Sequence, residues 1–337
     1  MRTREIHLTS RPRGWPNEEL FRVVEAELSE PGPGEVLIEN SALSVDPYMR
    51  PKMDDVPSYT PPYQLNAPLE GRAVGTVIGS GDPTVPLGAQ VLHRAGWREH
   101  ALLPAADVTL LPDLDVPLTH HLGVLGITGF TAWIGLNVIE SVTAGDQVFV
   151  SAAAGAVGSV AGQIARLRGA GRVVGSTGST EKASWLCDEL RFDAAINYRE
   201  EPIGVALRRV MPQGCDLGFD NVGGDHLGAA LEVMNDFGRL VMCGSISLYN
   251  ESRPSPMPDN LVHVTRKRLT MRGFITSDHL SLREQFLAEV APWVSSGDMV
   301  TRETVINGLD LMPRAFVAML SGATTGKTVV RLTAAEQ

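Results

Sequence analysis

The segment Val148-Phe-Val-Ser-Ala-Ala-Ala-Gly-Ala-Val-Gly-Ser-Val-Ala-Gly-Gln-Ile-Ala165 has the pattern of an apolar strand, a turn of small residues and the start of a helix. The turn follows Ala-x-Gly-x-x-Gly, with Ala153 in place of the first glycine of the dinucleotide-binding fingerprint. Gly155 permits close approach of a pyrophosphate, Gly158 permits packing of the helix on the strand, and the free amides of the helix start favour phosphates. The segment predicts a dinucleotide site; the alternative is a tight strand-to-helix turn without a ligand.

Strands and helices alternate along the chain from residue 123 to residue 300, around this segment. Apolar runs typical of strands are Gln147–Ser151, Arg172–Gly175, Ala195–Ile196 and Arg239–Cys243. Helical patterns cover Gly158–Gly169 and Glu181–Leu190. This alternation predicts an α/β domain with a doubly wound parallel sheet of the Rossmann type over residues 123–300.

The chain before this domain has a different pattern, with short β runs between glycine- and proline-rich turns. From Phe21 to about Pro112 the runs are Val36–Glu39, Ala73–Ile78 and Gln90–Leu92, which predict an antiparallel, barrel-like segment. After residue 301 come a strand, the helix Met312–Leu320 and the closing strand Lys327–Leu332. We expect residues 1–122 and 301–337 to form one discontinuous domain.

The end of the second predicted strand of the α/β domain indicates which dinucleotide binds. An NAD site places Asp or Glu there, on the ribose 2′-hydroxyl. Here Val174-Gly-Ser-Thr-Gly-Ser-Thr-Glu-Lys182 supplies hydroxyls and a lysine, with no carboxylate from Gly175 to Thr180. These groups suit a 2′-phosphate and predict NADPH as the cofactor. The alternative for Lys182 is a solvated cation at a helix start.

Composition excludes several classes of protein and of site. The net charge of −10 disfavours nucleic acid as a partner, and no apolar run is long enough for a membrane span or a signal peptide. The three cysteines, Cys187, Cys215 and Cys243, are far apart, so we expect a reducing, cytoplasmic location and no structural zinc. No cysteine precedes Cys187, and the histidines lack ligand spacing, so we expect no catalytic zinc either.

Six motifs occur in one order and carry a resemblance to a known family. They are Ser44-Val-Asp-Pro-Tyr-Met-Arg50, Gly126-Ile-Thr-Gly-Phe-Thr-Ala-Trp133, Ala152-Ala-Ala-Gly-Ala-Val-Gly158, Asp220-Asn-Val-Gly-Gly224, Cys243-Gly-Ser-Ile-Ser-Leu-Tyr-Asn250 and Gly326-Lys-Thr-Val-Val330. From about Ser10 to Leu332 the chain resembles the zinc-independent prostaglandin/alkenal/curcumin reductase branch of the medium-chain dehydrogenases/reductases. The resemblance implies a Rossmann domain with a discontinuous GroES-like β-barrel domain, and a homodimer.

The resemblance also implies which residues contact NADPH. The pyrophosphate contacts would be Ala156, Val157, Gly158 and Ser159, beside Gly155, and the 2′-phosphate contacts would be Lys182 and Tyr198. The ribose and nicotinamide contacts would be Asn221, Cys243, Gly244, Ser245, Ile246, Tyr249, Phe274, Ile275 and Thr276. Two departures concern this site: Thr324 stands where the family commonly carries Asn, and Ile127-Thr128 stand where it often carries Met-Pro. The alternatives are an Asx turn for Asn221 and a rim aromatic for Tyr249.

The reaction that the resemblance implies is hydride transfer to the β-carbon of an α,β-unsaturated ketone or aldehyde. Without a metal, such a reaction needs positioning, a hydrogen bond to the carbonyl and a proton source. Tyr59, Tyr249 and Tyr48 are the candidate catalytic residues, and the alternative for Tyr59 is a loop aromatic that only walls the pocket. The other functions left open are an NADPH quinone reductase and a non-catalytic NADP-binding protein.

Overall fold

The computed structural model describes residues 1–251 and 258–332, and it divides the chain into two compact units. Unit 1 consists of residues 1–122 and the segment from residue 303, and unit 2 is Gly123–Arg302. The sequence also predicts a loop over the proline-rich segment 253–258, which lies outside the described residues except for Pro258. None of the helices in the described ranges is long and apolar enough to span a membrane.

Unit 1 begins with seven strands. They are β1 (Arg2–Leu8), β2 (Phe21–Glu27), β3 (Glu35–Val45), β4 (Ala73–Ser80), β5 (Gln90–His93), β6 (His100–Pro104) and β7 (Thr109–Leu110). The sequence pattern did not predict β1, because the buried residues Thr3, Glu5 and His7 are polar and the strand therefore has no apolar run. Even Glu5 and His7 are buried there, joined by a hydrogen bond of 2.6 Å.

Unit 2 alternates strands and helices. Its elements are α1 (Ile127–Ile134), β8 (Gln147–Val150), α2 (Gly158–Leu167), β9 (Arg172–Thr177), α3 (Thr180–Asp188), β10 (Ala194–Asn197), α4 (Ile203–Val210), β11 (Cys215–Asp220), α5 (Gly224–Val233), β12 (Met234–Met242), α6 (Val262–Arg266), β13 (Thr270–Gly273) and α7 (Arg283–Ser296). The strands form one parallel sheet in the order β10-β9-β8-β11-β12-β13. This strand order is that of the doubly wound dinucleotide-binding fold, so the predicted fold class is confirmed.

The last described segment returns to unit 1 and completes its sheet. It comprises β14 (Glu303–Asn307), α8 (Met312–Leu320) and β15 (Lys327–Arg331). The sheet has the order β14-β15-β3-β4-β5-β7, with β6 paired to β3. It is mixed, because β14 and β15 are parallel while the other pairs are antiparallel. The pairing of β15 with β3 makes the unit discontinuous in sequence.

Each unit has its own apolar core. In unit 1 the Phe21 and Trp97 rings stack with their centroids 5.4 Å apart, and Phe316 of α8 packs edge-on against both. In unit 2 apolar side chains of the parallel strands, such as Phe149 and Val174, pack with those of the helices that cover the sheet. Burial on both faces explains why these strands are apolar runs rather than alternating ones.

Candidate cofactor-binding site

The six strands of unit 2 end at one edge of the sheet, and the predicted cofactor residues follow those ends. The register pairs Val150 of β8 with Gly175 of β9, and Asp220 of β11 with Met242 of β12. The residues that follow the strand ends are the turn 151–158 after β8, Lys182 after β9, Tyr198 after β10, Asn221 after β11, Cys243 to Tyr249 after β12 and Phe274 to Thr276 after β13. In doubly wound sheets ligands bind at this carboxyl edge.

The turn after β8 is held tightly against the sheet. The Ala153 amide donates to the Ser176 carbonyl at 2.8 Å, and Ala152 has a φ of 47°, a left-handed conformation that is rare for alanine. A Cβ on Gly158 would lie 2.4 Å from the Ala152 carbonyl oxygen, so the turn requires glycine there. A Cβ on Gly155 would lie 3.3 Å from the same oxygen, a milder contact. Gly158 therefore serves packing of α2 on the turn, as the sequence predicted.

The start of α2 offers unpaired backbone donors. In the described chain, the amides of Ala156, Val157 and Gly158 have no hydrogen-bond acceptor, whereas the Ser159 amide donates to the Gly155 carbonyl at 3.0 Å. These amides add to the positive end of the helix dipole. Such a helix start is suited to a phosphate group, and this is where the sequence placed the pyrophosphate.

Asp220, at the end of β11, organises the centre of the edge. Its carboxylate accepts from the Ser151 hydroxyl at 2.6 Å and from the amides of Val222 and Gly223 at 3.0 Å each. Burial raises the pKa of this carboxyl, and the three hydrogen bonds act in the opposite direction. No role was predicted for Asp220 from the sequence, although it begins one of the six motifs.

Asn221 is fixed by the same network. Its backbone amide donates to the Ser151 hydroxyl and its side-chain amide donates to the Ser151 carbonyl, both at 2.8 Å. The side-chain carbonyl oxygen of Asn221 has no donor among the described residues. The side chain is therefore oriented by the turn after β8 and keeps one acceptor for a ligand hydroxyl.

The loop after β12 is tied to the loop after β11. The Gly244 amide donates to the Asp220 carbonyl at 3.1 Å, and the Ile246 amide donates to the Asn221 carbonyl at 3.1 Å. A Cβ on Gly244 would lie 3.6 Å from the Tyr249 hydroxyl oxygen, so this phenol lies against the start of the loop. Burial raises the pKa of Cys243 to about 12, which keeps its thiol neutral.

Thr276, after β13, contacts helix α1, which begins with Ile127 and Thr128, one of the departures from the family pattern. The hydroxyls of Thr276 and Thr131 are 2.9 Å apart, and Thr131 also donates to the Ile127 carbonyl. The Thr128 hydroxyl donates to the Gly123 carbonyl at 2.9 Å and is buried. Thr128 therefore stabilises the start of α1, and its hydroxyl proton is used in this hydrogen bond to the Gly123 carbonyl.

Basic and phenolic side chains follow β9 and β10, namely Lys182 after β9 and Tyr198 and Arg199 after β10. A Cβ on Gly178 would lie 3.0 Å from the Tyr198 hydroxyl and 3.3 Å from Nε of Arg199, so both side chains approach the glycine. Burial, and to a lesser extent the charge of Arg199, lower the pKa of Lys182. The Ser179 hydroxyl caps α3 by accepting from the Lys182 amide at 3.3 Å. Tyr198 and Arg199 thus lie against the loop after β9, and the contacts of Lys182 and Tyr198 with a 2′-phosphate stay predictions.

Two residues near the ends of β9 and β10 were not predicted from the sequence. One is Arg199, whose position directly after Tyr198 was a signal that could have been used. The other is Glu200, whose carboxylate accepts from the Thr180 hydroxyl at 2.6 Å. The carboxylate of Glu200, which follows β10, therefore reaches Thr180 at the start of α3. The segment from Gly175 to Thr180 itself contains no acidic residue.

Two of the three candidate catalytic tyrosines belong to unit 1. Tyr48 is partly buried, and burial together with Asp46 raises the pKa of its hydroxyl well above the ordinary value. Asp46 itself is buried and bound by Lys327 of β15 at 2.5 Å, with the Ser44 hydroxyl as a further donor. Tyr59 is 64 % exposed. The Tyr48 hydroxyl is therefore protonated at neutral pH and available as a donor.

Thr324, the second departure from the family pattern, also lies in unit 1. Its hydroxyl is 2.9 Å from the Thr328 hydroxyl, in a hydrogen bond that the latter donates. In the described parts of the chain, no group of three or more His, Cys, Asp or Glu side chains is placed to hold a metal ion.

Comparison with protein families matches both units. Residues 4–111 match a family described as the N-terminal domain of oxidoreductase, and residues 156–296 match one described as zinc-binding dehydrogenase. Three curated relatives align over nearly their whole length. The chain is 36 % identical to the NADPH-dependent curcumin reductase of Escherichia coli, covering 98 % of this chain and 97 % of the relative. It is 38 % identical to the NADP(+)-dependent 2-alkenal reductase of Nicotiana tabacum, covering 97 % and 96 %.

The third relative and a solved structure agree with these matches. Prostaglandin reductase 1 of Mus musculus is 40 % identical, with 94 % of this chain and 95 % of the relative covered. The crystal structure of CurA from Vibrio vulnificus in complex with NADPH superposes with a TM-score of 0.93, at 35 % identity, covering 98 % of this chain and 99 % of that one. The chain therefore belongs to the prostaglandin/alkenal/curcumin reductase branch of the medium-chain dehydrogenase/reductase family.

Proposed function

We propose that the protein reduces the carbon–carbon double bond of α,β-unsaturated ketones and aldehydes with NADPH. The observation that carries this proposal is the set of Lys182 after β9 and Tyr198 and Arg199 after β10, which suits a 2′-phosphate, in a chain 36–40 % identical to the reductases described above. Two cations and a phenol provide charge-assisted donors for that phosphate. NADP dependence in the relatives' names agrees with this chemistry.

Residues of unit 2 would hold the cofactor at the carboxyl edge of the sheet. The unpaired amides of Ala156, Val157 and Gly158, with Gly155 and Ser159, would bind the pyrophosphate. The carbonyl oxygen of the Asn221 side chain would accept from a ribose hydroxyl. The remaining contacts proposed for the ribose and nicotinamide are Cys243, Gly244, Ser245, Ile246, Tyr249, Phe274, Ile275 and Thr276.

NADPH supplies the hydride for the β-carbon, and the protein must then stabilise and protonate the enolate. We assign the hydrogen bond to the substrate carbonyl to Tyr48, because it is partly buried, whereas Tyr59 is 64 % exposed. Tyr249 would order the ribose hydroxyls from its place against Gly244. Tyr59 remains the second candidate for the donor, or a wall of the substrate site.

We propose that no zinc takes part in this reaction. The name of one matching family mentions zinc, but Asp46 is engaged by Lys327 and Ser44, and the described residues provide no ligand cluster. We also propose a cytoplasmic homodimer that binds no nucleic acid. The three free cysteines fit a reducing compartment, and the net charge of −10 opposes binding to phosphate backbones.

Product analysis tests the proposed function. The purified protein is expected to oxidise NADPH in the presence of benzylideneacetone and to release the saturated ketone. Allylic alcohol as the sole product would mean carbonyl reduction and would refute the proposal. NADPH binding without turnover of any enone or quinone would favour a non-catalytic binding protein instead, and turnover of quinones alone would favour a quinone reductase.

A further inference from the structure

We propose that His226, in the first turn of α5, holds the ring of Tyr198 in place for the 2′-phosphate of NADPH and so contributes to the choice of NADPH over NADH. The inference rests on the proposed function, because Tyr198 is one of the residues proposed to contact that phosphate. His226 is then a positioning residue, which acts through Tyr198. No role was predicted for it from the sequence, because it lies outside the six motifs.

The rings of His226 and Tyr198 are in direct contact. Their centroids are 4.9 Å apart and their planes are at 86°, which is an edge-to-face arrangement. Aromatic pairs favour this geometry at such a distance. His226 is only 6 % exposed, whereas Tyr198 is 38 % exposed. The histidine therefore belongs to the interior of unit 2, and the tyrosine packs against it from the surface.

The phenol of Tyr198 is oriented by packing. Its backbone is fixed, because β10 pairs with β9 and the Tyr198 amide donates to the Thr177 carbonyl at 3.1 Å. Among the described residues, none forms a hydrogen bond with the Tyr198 hydroxyl. A Cβ on Gly178 would lie 3.0 Å from this hydroxyl, so the phenol reaches the loop that leads to Lys182. The direction of the phenol therefore depends on the contact of its ring with His226.

The backbone of His226 is held by the turn that also orients Asn221. The Gly223 amide donates to the Asp220 carboxylate at 3.0 Å, and the Gly223 carbonyl accepts from the His226 amide at 3.1 Å. Gly223 has a φ of 73°, a left-handed conformation that favours glycine. The network around Asp220 therefore orients Asn221 and also fixes the backbone of His226.

The imidazole of His226 acts by packing rather than by hydrogen bonding. Its Nε2 atom is buried and has no hydrogen-bond partner in the described chain, although buried polar atoms normally have one. Burial lowers the pKa of His226 to about 4, against the effect of the Asp225 charge, so the ring is neutral at pH 7. The aromatic ring that it contacts within the described ranges is that of Tyr198. A change at His226 should therefore be felt first at that phenol.

Two nucleotides that differ only in the 2′-phosphate test the positioning role without any turnover. We would titrate the purified protein calorimetrically with 2′,5′-ADP and with 5′-AMP and compare their dissociation constants. In His226→Ala the freed tyrosine must be ordered when the phosphate binds, so the preference for 2′,5′-ADP should fall roughly threefold to tenfold. His226→Phe keeps an aromatic ring and should retain the preference. The control His263→Ala removes a histidine that contacts α5 through Glu232, and it should leave the preference unchanged.

The variant Tyr198→Phe separates positioning from a general loss of structure, because it keeps the ring and removes the hydroxyl. In this background His226→Ala should lower the preference no further. An equal fall with and without the Tyr198 hydroxyl would overturn the inference, and so would an unchanged preference in His226→Ala. If His226→Ala does not fold, His226→Leu takes its place with the same expected fall, since leucine fills the space but offers no aromatic ring.

The same titrations distinguish this inference from the proposed function. A wild-type protein that prefers 2′,5′-ADP but reduces no enone would refute the proposed function, and the comparison of variants would still decide the role of His226. A wild-type protein that binds both nucleotides equally would overturn the inference even if it reduces enones, because there would be no selection of the 2′-phosphate for His226 to support.

Discussion

At the residue scale, the cofactor edge depends on side chains that hold the backbone as much as on those that face a ligand. Asp220 and Ser151 fix the orientation of Asn221, yet only Asn221 was named from the sequence. A residue that contacts a ligand, such as Asn221, can be recognised from a motif. A buried acid that binds neighbouring amides, such as Asp220, has no sequence pattern that distinguishes it from other residues at strand ends. Glu200 was missed for a similar reason, because it reaches Thr180 from another strand.

Lys182 provides the first prediction at this scale. The variant Lys182→Met should raise the KM for NADPH roughly tenfold and leave the KM for NADH unchanged, because a charge-assisted bond to the 2′-phosphate is lost. Arg208→Gln is the control, since Arg208 is an exposed cation of the same unit on α4. Steady-state kinetics with both cofactors provide the measurement. An equal change for NADPH and NADH would assign Lys182 to the helix start alone.

The second prediction concerns the phenol that donates to the substrate carbonyl. Tyr48→Phe should lower kcat roughly 100-fold, within the usual range for the loss of an acid–base group. The raised pKa of Tyr48 keeps its proton in place as the pH rises, so wild-type kcat/KM should stay flat from about pH 6 to about pH 9. Tyr59→Phe is the matched variant. A large loss there, with little change in Tyr48→Phe, would transfer the role to Tyr59.

At the scale of elements, the sequence pattern predicted strands that form long apolar runs and failed for those that do not. Helix α8 and strands β8 and β9 were predicted within two residues of their observed bounds. Strand β11 was not identified, because Asp216 and Gly218 interrupt its apolar run, although five of its six residues are buried. Strand β13 has only four residues, mostly exposed, and is defined by its pairing with β12 rather than by its own pattern.

The two glycines of the turn before α2 should respond differently to substitution. In Gly158→Ala the new Cβ meets the backbone of Ala152 at 2.4 Å, so the helix must shift, and we expect a loss of about 1–3 kcal/mol in the free energy of unfolding. Gly155→Ala meets the same oxygen only at 3.3 Å and should retain stability while weakening NADPH binding. Urea denaturation and fluorescence titration with NADPH would measure the two effects. Equal destabilisation by both substitutions would contradict the separate roles.

At the scale of the whole molecule, the change from short β runs to alternating strands and helices along the sequence predicted the correct fold class. The order of the parallel strands in unit 2 could be inferred from the motif at β8 and the alternation around it, because this topology is common to dinucleotide-binding sheets. The substrate side could not be predicted in the same way. The register of β4 with β5, from Thr76 opposite Gln90 to Ala73 opposite His93, is not encoded by any local pattern.

Isotope transfer from the nicotinamide shows directly whether the hydride reaches the β-carbon of an enone. NADPH that carries deuterium at the transferred position of the nicotinamide would be incubated with the protein and benzylideneacetone, and the product examined by NMR. We predict deuterium at the β-carbon of the saturated ketone and a solvent proton at the α-carbon. Deuterium at the former carbonyl carbon, in an allylic alcohol, would contradict the account.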